Sequence, residues 1–313
     1  MHLASPDAAV SVTVVGGANM DISAKAGGAL TAGDSTPGSI HYSAGGVGRN
    51  IAENLARLGV AVNLLSVVGD DAFGRQLLVD TARAGVGVTS VVTVPGQRTA
   101  TYLSMHQPDG EVAKAVNDMG ILDSLTADVC RQSPALAGGD GWLLLDCNLP
   151  AATLAHLLAL GRKVAVDGVS VAKCRRITGA LSRIELLKLN HLEASALSGL
   201  PLESTAQCVA AVQHFLDQGV AKVLISHGAA GLAWGQQGVA PRFRRSRPVA
   251  VVSSTGAGDA LLAGVLAGLL KGHALEDAVN YGVACAEITL SSTFANSPEL
   301  TDAAVRHHLS ATA

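Results

Sequence analysis

The segment Ser253-Ser254-Thr255-Gly256-Ala257-Gly258-Asp259-Ala260 sets small backbone positions beside one carboxylate. It follows an apolar run, Val249–Val252, and precedes the apolar residues Ala260–Leu270. That order puts the glycines at a helix start, where the first N–H groups lack intrahelical partners and the dipole is positive. Without side chains in the way, an anion can reach those amides, which makes an anion hole suited to a phosphoryl group in transfer. Asp259 stands there with a carboxylate able to take a proton. An aspartate at a helix start also serves as an N-cap, and spacing alone leaves both roles open.

A second glycine loop, Ser43-Ala44-Gly45-Gly46-Val47-Gly48-Arg49-Asn50, precedes a helical pattern over Ile51–Leu58. Asn50 offers a donor and an acceptor to a hydroxylated ligand, and a tight turn before a helix is the plain alternative. Asp21, in Asn19-Met20-Asp21, lies just past the first strand pattern. Ligands of open α/β sheets bind beyond the carboxyl ends of strands, so this carboxylate is placed to bind a diol or to form a turn. Asn190-His191-Leu192-Glu193 opens a further helix and also fits a capping box. Other phosphate and hydrolase signatures are excluded. No Gly-Lys dipeptide exists for a P-loop, and neither glycine loop completes G-x-G-x-x-G. H-E-x-x-H and G-x-S-x-G are also absent.

The elements that must position these residues are legible as apolar runs at Val10–Val15, Ala61–Val68, Trp142–Leu145, Val164–Val166, Val223–Ile225 and Val249–Val252. Helical spacing lies between several of them, as at Ile51, Leu55 and Leu58, or Val209, Val212 and Leu216. Buried strands alternating with amphipathic helices predict βαβ units and a parallel sheet covered on both faces. Two stretches break this rhythm. Ser23–Tyr42 is polar and contains Pro37-Gly38, and Thr99–Val116 alternates around a Pro108-Asp109-Gly110 turn. Both read as short strands of a small lid outside the main sheet.

Composition narrows the classes. The chain has 313 residues, 49% hydrophobic, 15% charged and 3% aromatic, with net charge −3. Disorder is disfavoured by this apolar content, and nucleic-acid binding by the negative charge and scarce aromatics. No apolar stretch reaches the roughly 18–20 residues of a membrane span. Pro6 and Asp7, with no basic stretch ahead of the first apolar run, do not make a signal peptide. Five scattered cysteines form no C-x-x-C pair and suit a reducing cytoplasm.

As a set, these pieces resemble the PfkB-type, ribokinase-like family of sugar and nucleoside kinases, from Val14 to about Ser297. The likeness is carried by Gly45-Gly46-Val47-Gly48-Arg49-Asn50-Ile51-Ala52 and Thr255-Gly256-Ala257-Gly258-Asp259. It continues in the N-x-x-E element Asn190–Glu193 and in Ser226-His227-Gly228-Ala229-Ala230-Gly231. It implies an α/β fold of three αβα layers with a mostly parallel central sheet. The whole chain, 1–313, would be one kinase domain, with lid segments at about 23–43 and 98–118. By the same resemblance Asp259 is the general base, and Gly256, Ala257 and Gly258 supply the anion hole. Asp21, Gly45, Gly46 and Asn50 hold substrate hydroxyls. Lys188, Asn190, Ser226, Gly228, Gly231 and Thr255 border ATP, and Asn190 and Glu193 organise Mg²⁺ through water. A homodimer paired through the lid is implied. The family's signature begins Asp-Thr where this chain has Ser253-Ser254; in relatives that Asp helps hold a monovalent cation, so K⁺ dependence is put in doubt.

Within the family, Pro37-Gly38, Tyr102-Leu103-Ser104, Val116-Asn117-Asp118-Met119, Asp146-Cys147-Asn148 and Lys173-Cys174 are similar to pseudouridine kinases. This implies phosphorylation of a nucleoside 5′-hydroxyl, with the base read by hydrogen bonds. Tyr102, Ser104 and Asn117, together with Thr101 and Asp118, would serve from the lid, and Asn148 and Lys173 from the main sheet. A kinase of ribose, another nucleoside or a ketose is the alternative, and a non-catalytic sensor on the same fold is a second. Arg242, Arg244, Arg245 and Arg247 read as a solvated hairpin face.

Overall fold

The computed structural model describes residues 12–31, 33–137 and 141–312. Its main sheet has eight strands, in the order Val239–Arg244, Leu232–Gln236, Lys222–Ser226, Leu186–Asn190, Val164–Asp167, Trp142–Asp146, Val12–Val15 and Val62–Leu65. The last six are mutually parallel, and the first two form an antiparallel hairpin on one edge. Because side chains alternate along a strand, each central strand feeds two cores. Val15, Leu143, Leu145, Leu187 and Ile225 face one layer of helices, and Val14, Leu144, Ala165, Leu186 and Leu224 face the other. Parallel strands covered on both faces are apolar throughout, which is why these runs were readable.

The second layer holds both helices that begin at glycine loops, Val47–Arg57 and Ala257–Leu270. The latter packs on Leu275–Leu290 with little room between backbones. A Cβ at Gly264 would lie 2.7 Å from the Gly282 Cα. Part of the glycine richness is therefore close helix packing.

A separate four-stranded sheet, in the order Gly38–Gly45, Asn19–Ala26, Thr101–His106 and Val112–Asp118, stands beyond the carboxyl end of Val12–Val15. It opens at Asn19 rather than Ser23 and runs on to Gly45. Asn19 pairs with Gly45, so both ends of its first hairpin reach the site.

Three strand expectations change. Val10 and Ser11 lie outside the described residues, and the first strand is seen from Val12. Ala61–Val68 splits in two: Val62–Leu65 joins the main sheet, while Val67–Gly69 pairs with Val92–Val94. Val249–Val252 is not a strand. Val251 and Val252 are 59% and 57% exposed, and the Val252 N–H donates to the Leu290 carbonyl at 2.8 Å. Pro248, just before this run, cannot donate to a ladder, and the segment is tied to a helix end instead. The arginine-rich hairpin is partly neutralised by its neighbour helix: Arg242 pairs with Glu276 at 2.5 Å, and Arg247 with Glu287 at 3.1 Å.

Candidate active site

The carboxyl ends of the parallel strands bring polar residues into a row. Register sets Asp146 beside Asp167, Asp167 beside Lys188, and Asn190 beside Ser226. Above this row lie the N-termini of the two glycine-loop helices.

The helix Ala257–Leu270 is capped by Gly256, whose left-handed φ of 81° excludes ordinary side chains. A Cβ there would also stand 2.0 Å from the Ala295 carbonyl oxygen. Asp259 is therefore not the N-cap, and it makes no capping bond. Its carboxylate instead accepts a hydrogen bond from Asn50 Nδ2 at 3.0 Å. The first intrahelical bond runs from the Ala260 N–H to the Gly256 carbonyl, at 2.9 Å. The amides of Ala257, Gly258 and Asp259 precede it and point out of the helix.

Asp259 is 8% exposed. Burial, and then the negative charge of Asp167, push its carboxyl up to about 7, against the pull of Lys188 and Asn50. Such a carboxylate is a better base near neutrality than an exposed one. Below it, Lys188 Nζ is 2.9 Å from Asp167 Oδ2, both groups buried. Burial alone would favour the neutral amine, but Asp167, Glu193 and Asp259 outweigh it and hold the ammonium above the usual lysine range. A Cβ on Gly258 would lie 2.8 Å from Nζ, so glycine lets this cation sit against the anion-hole backbone.

The other loop meets this one from the side. Gly46 caps Val47–Arg57 with φ 99°, four residues earlier than the expected start at Ile51. Asn50 is consequently inside the first turn, with its N–H donating to the Gly46 carbonyl at 2.7 Å. Arg49, paired with Glu53, donates to Asn50 Oδ1 and Asn296 Oδ1 at 3.1 and 3.0 Å. It thereby fixes the Asn50 amide with its nitrogen toward Asp259. Asp21 lies over Gly45, where a Cβ would stand 2.1 Å from Oδ2. Burial raises the Asp21 pKa, while Asn19 and Arg49 work against the shift.

The remaining residues outside the small sheet fall into four groups. Lys173 Nζ donates to Asn148 Oδ1 at 2.6 Å, and burial lowers its pKa. Asn190 and Glu193 do form the capping box: Asn190 N–H and Nδ2 donate to Glu193 at 2.8 and 2.7 Å, and the Glu193 N–H donates back at 2.9 Å. Both Glu193 oxygens are thus taken and the residue is 2% exposed, which fits a metal held through water and not direct ligation. Among the described residues no group of three His, Cys, Asp or Glu is arranged to hold a metal. Gly228 and Gly231 bound a tight turn after Ser226, and Gly231, at φ 138°, has the Arg244 carbonyl oxygen 2.1 Å from where a Cβ would be. Thr255 is exposed, its N–H donating to Ser253 Oγ at 3.2 Å.

On the small sheet, register divides the expected base-reading residues. Tyr102, Ser104 and Asn117 share the face of Asp21 and Ser23. Thr101 and Asp118 point to the opposite face, with Leu103 and Val116, because successive residues of a strand alternate. The five cannot read one ligand together. Ser104 is also buried, its hydroxyl 2.9 Å from His106 Nε2. The residues with no role assigned from sequence are Asp146, Asp167 and Arg49. The two aspartates carry a usable signal, since each is the last residue of a buried strand.

Comparison with known proteins bears on the family and the fold. The family model described as "pfkB family carbohydrate kinase" matches residues 10–302. A pseudouridine kinase of Escherichia coli (strain K12) is 35% identical over 300 residues, covering 94% of this chain and 95% of the relative. An uncharacterized sugar kinase of the same organism is 38% identical over 290 residues, covering 92% and 80%. The structure of Arabidopsis thaliana ribokinase complexed with ribose and ATP superposes with a TM-score of 0.82 at 24% identity, covering 96% of this chain and 99% of that one. The chain belongs to the pfkB family of carbohydrate kinases, and it is a phosphotransferase with an alcohol group as acceptor.

Proposed function

We propose that the enzyme transfers the γ-phosphoryl group of ATP to the 5′-hydroxyl of pseudouridine, giving pseudouridine 5′-phosphate and ADP. The observation that carries the catalytic part is the 3.0 Å bond from Asn50 to the buried Asp259. It joins the acceptor-side glycine loop to the anion-hole helix at a carboxylate raised to about 7. Asp259 takes the proton from the attacking hydroxyl. The amides of Ala257, Gly258 and Asp259 stabilise the charge that gathers on the transferring group, where positioning and electrostatics supply most of the catalysis. Asp21 and Asn50 orient the ribose hydroxyls over Gly45 and Gly46. Ser226, Gly228, Gly231 and Thr255 border ATP, the nucleotide named in the Arabidopsis ribokinase structure. Lys188 supports the anion-hole backbone from below. Asn190 and Glu193 would hold Mg²⁺ through its waters, and the ion would neutralise phosphate charge.

The choice of pseudouridine is supported by the relative at 35% identity and by the polar face of Tyr102, Ser104 and Asn117. Asn148 and Lys173 complete the acceptor side. The relative described as a sugar kinase, at 38% identity, favours a second reading with a free sugar as acceptor. The small sheet acts as a lid on one kinase domain and as the pairing surface of a homodimer. Ile40, Tyr42, Leu103, Met105 and Val116 lie on its other face, exposed at 37–66%. An apolar sheet face of this kind calls for a partner. Five unpaired, buried cysteines suit a reducing cytoplasm.

A coupled ADP-release assay across pseudouridine, uridine, adenosine, ribose and fructose tests the reading, run in Na⁺ and in K⁺. Preferred turnover of pseudouridine, with K⁺ and Na⁺ rates alike because Ser253 replaces an aspartate, is expected. Equal turnover of ribose overturns the nucleoside assignment, and no turnover of any acceptor points to a sensor.

A further inference from the structure

We infer that Asp146 is the positioning residue of the acceptor side: one buried carboxylate fixes the backbones of the segments that carry Asp21, Asn50 and Asn148. The inference rests on the acceptor assignment proposed above. Asp146 Oδ2 accepts the N–H groups of Gly17 and Gly48, each at 2.8 Å, and Oδ1 accepts the Asn148 N–H at 2.9 Å. Gly17 leads into the strand that carries Asp21. Gly48 lies two residues before Asn50, in the first turn of its helix. Asn148 follows Asp146 by two positions and is bonded to Lys173.

The carboxylate itself is fully buried. Its strand is held on both sides, by Val12–Val15 and by Val164–Asp167, so its backbone is anchored. The surrounding space is kept open by glycines. A Cβ at Gly16 would lie 2.5 Å from Oδ2, and one at Gly48 3.0 Å. The nearest charge across the register is the like-charged Asp167, and burial raises the Asp146 pKa while its N–H donors oppose the shift. A buried carboxyl group in that setting is costly unless its hydrogen bonds are made, and here each bond ties down a different acceptor segment. The segments that would border ATP, Asn190 and Ser226–Gly231, lie beyond Val164–Asp167 in the strand order and do not share these bonds. Displacing an acceptor by about 1 Å costs on the order of 100-fold in rate, so the effect of losing Asp146 falls on the acceptor and spares the nucleotide.

The experiment measures KM for acceptor and for ATP, with thermal melting, on the full-length wild type, Asp146→Asn, Asp146→Glu and Gly16→Ala. In Asp146→Asn one oxygen becomes a donor facing an N–H, and in Gly16→Ala a methyl presses on Oδ2. Expected in each is an acceptor KM raised about 10- to 100-fold with ATP KM within about twofold. Asp146→Glu, longer by one methylene, gives no rescue. An unchanged acceptor KM in a folded variant, or equal rises in both KM values, overturns the inference. If Asp146→Asn does not fold, Gly16→Ala decides by the same criterion. Active wild type with unmoved variants sinks this inference alone, whereas a wild type inactive on every acceptor sinks the acceptor assignment and this inference with it.

Discussion

Asp259 and Asn117 are both proposed to approach the acceptor, yet one is buried where two helix N-termini meet and the other is exposed on an outer strand of the small sheet. The carboxyl edge of the main sheet holds its polar groups in mutual bonds: Asn50 to Asp259, Lys188 to Asp167, Asn190 to Glu193. On the small sheet, Tyr102 and Asn117 are exposed next to each other, and Ser104 bonds locally, to His106. Groups that act on charge in the transition state gain from a dry, preorganised setting. Groups that choose among substrates can stay exposed and adaptable. The contrast predicts large, substrate-independent effects in the first region and small, substrate-selective effects in the second.

The largest effect is expected for Asp259→Asn, which keeps the shape and removes the base. It should lower kcat about 10²- to 10⁴-fold for every acceptor. The same variant should melt higher at alkaline pH. A carboxyl whose folded pKa is raised to about 7 contributes stability below its unfolded value near 4, and that contribution is lost as pH rises through 7. A variant at parental rate would remove Asp259 from the chemistry. Next, Lys188→Met leaves Asp167 buried without its partner, and breaking such a pair costs roughly 3–5 kcal/mol. Chemical denaturation measures this, and a change under about 1 kcal/mol would show the pair to be dispensable. The pH dependence of kcat/KM comes third. Asp259 must be ionised to act, so the rate should climb about tenfold per pH unit up to about 7 and level off above. A flat profile from pH 5 to 8 would contradict the raised carboxyl. Smallest is Asn117→Ala, which loses at most one solvent-exposed hydrogen bond, of about 1 kcal/mol. It should raise the nucleoside KM about fivefold and leave ribose unaffected. An equal effect on both would dissolve the contrast between the two regions.

Much of the framework was legible. The buried strands announce themselves because they are apolar on both faces, and the glycine loops because small residues precede helical patterns. Legibility failed where a local pattern has two tertiary outcomes. Val249–Val252 has strand composition but follows Pro248 and is tied to the end of the helix Leu275–Leu290, so it joins no sheet. Thr101 and Asp118 look equivalent to Tyr102 and Asn117 until the register fixes which side of the sheet each faces. Asn190–Glu193 carries the same letters whether or not it also organises a metal, and only the folded chain shows that its capping box is formed.

The sequence by itself determined the chemistry available: two glycine-led helix starts, a carboxylate on one, an amide on the other, and a row of strand-end polar residues. Tertiary structure decided which of these meet. Asp259 and Asn50 are 209 positions apart, and only the packing of their helices on one face of the sheet sets them 3.0 Å from each other. The basicity of Asp259 is decided there too, since burial and the neighbouring Asp167 and Lys188 are properties of the assembled site. Spacing along the chain fixes what a residue is able to do, while desolvation and long-range contacts fix the state in which it does it.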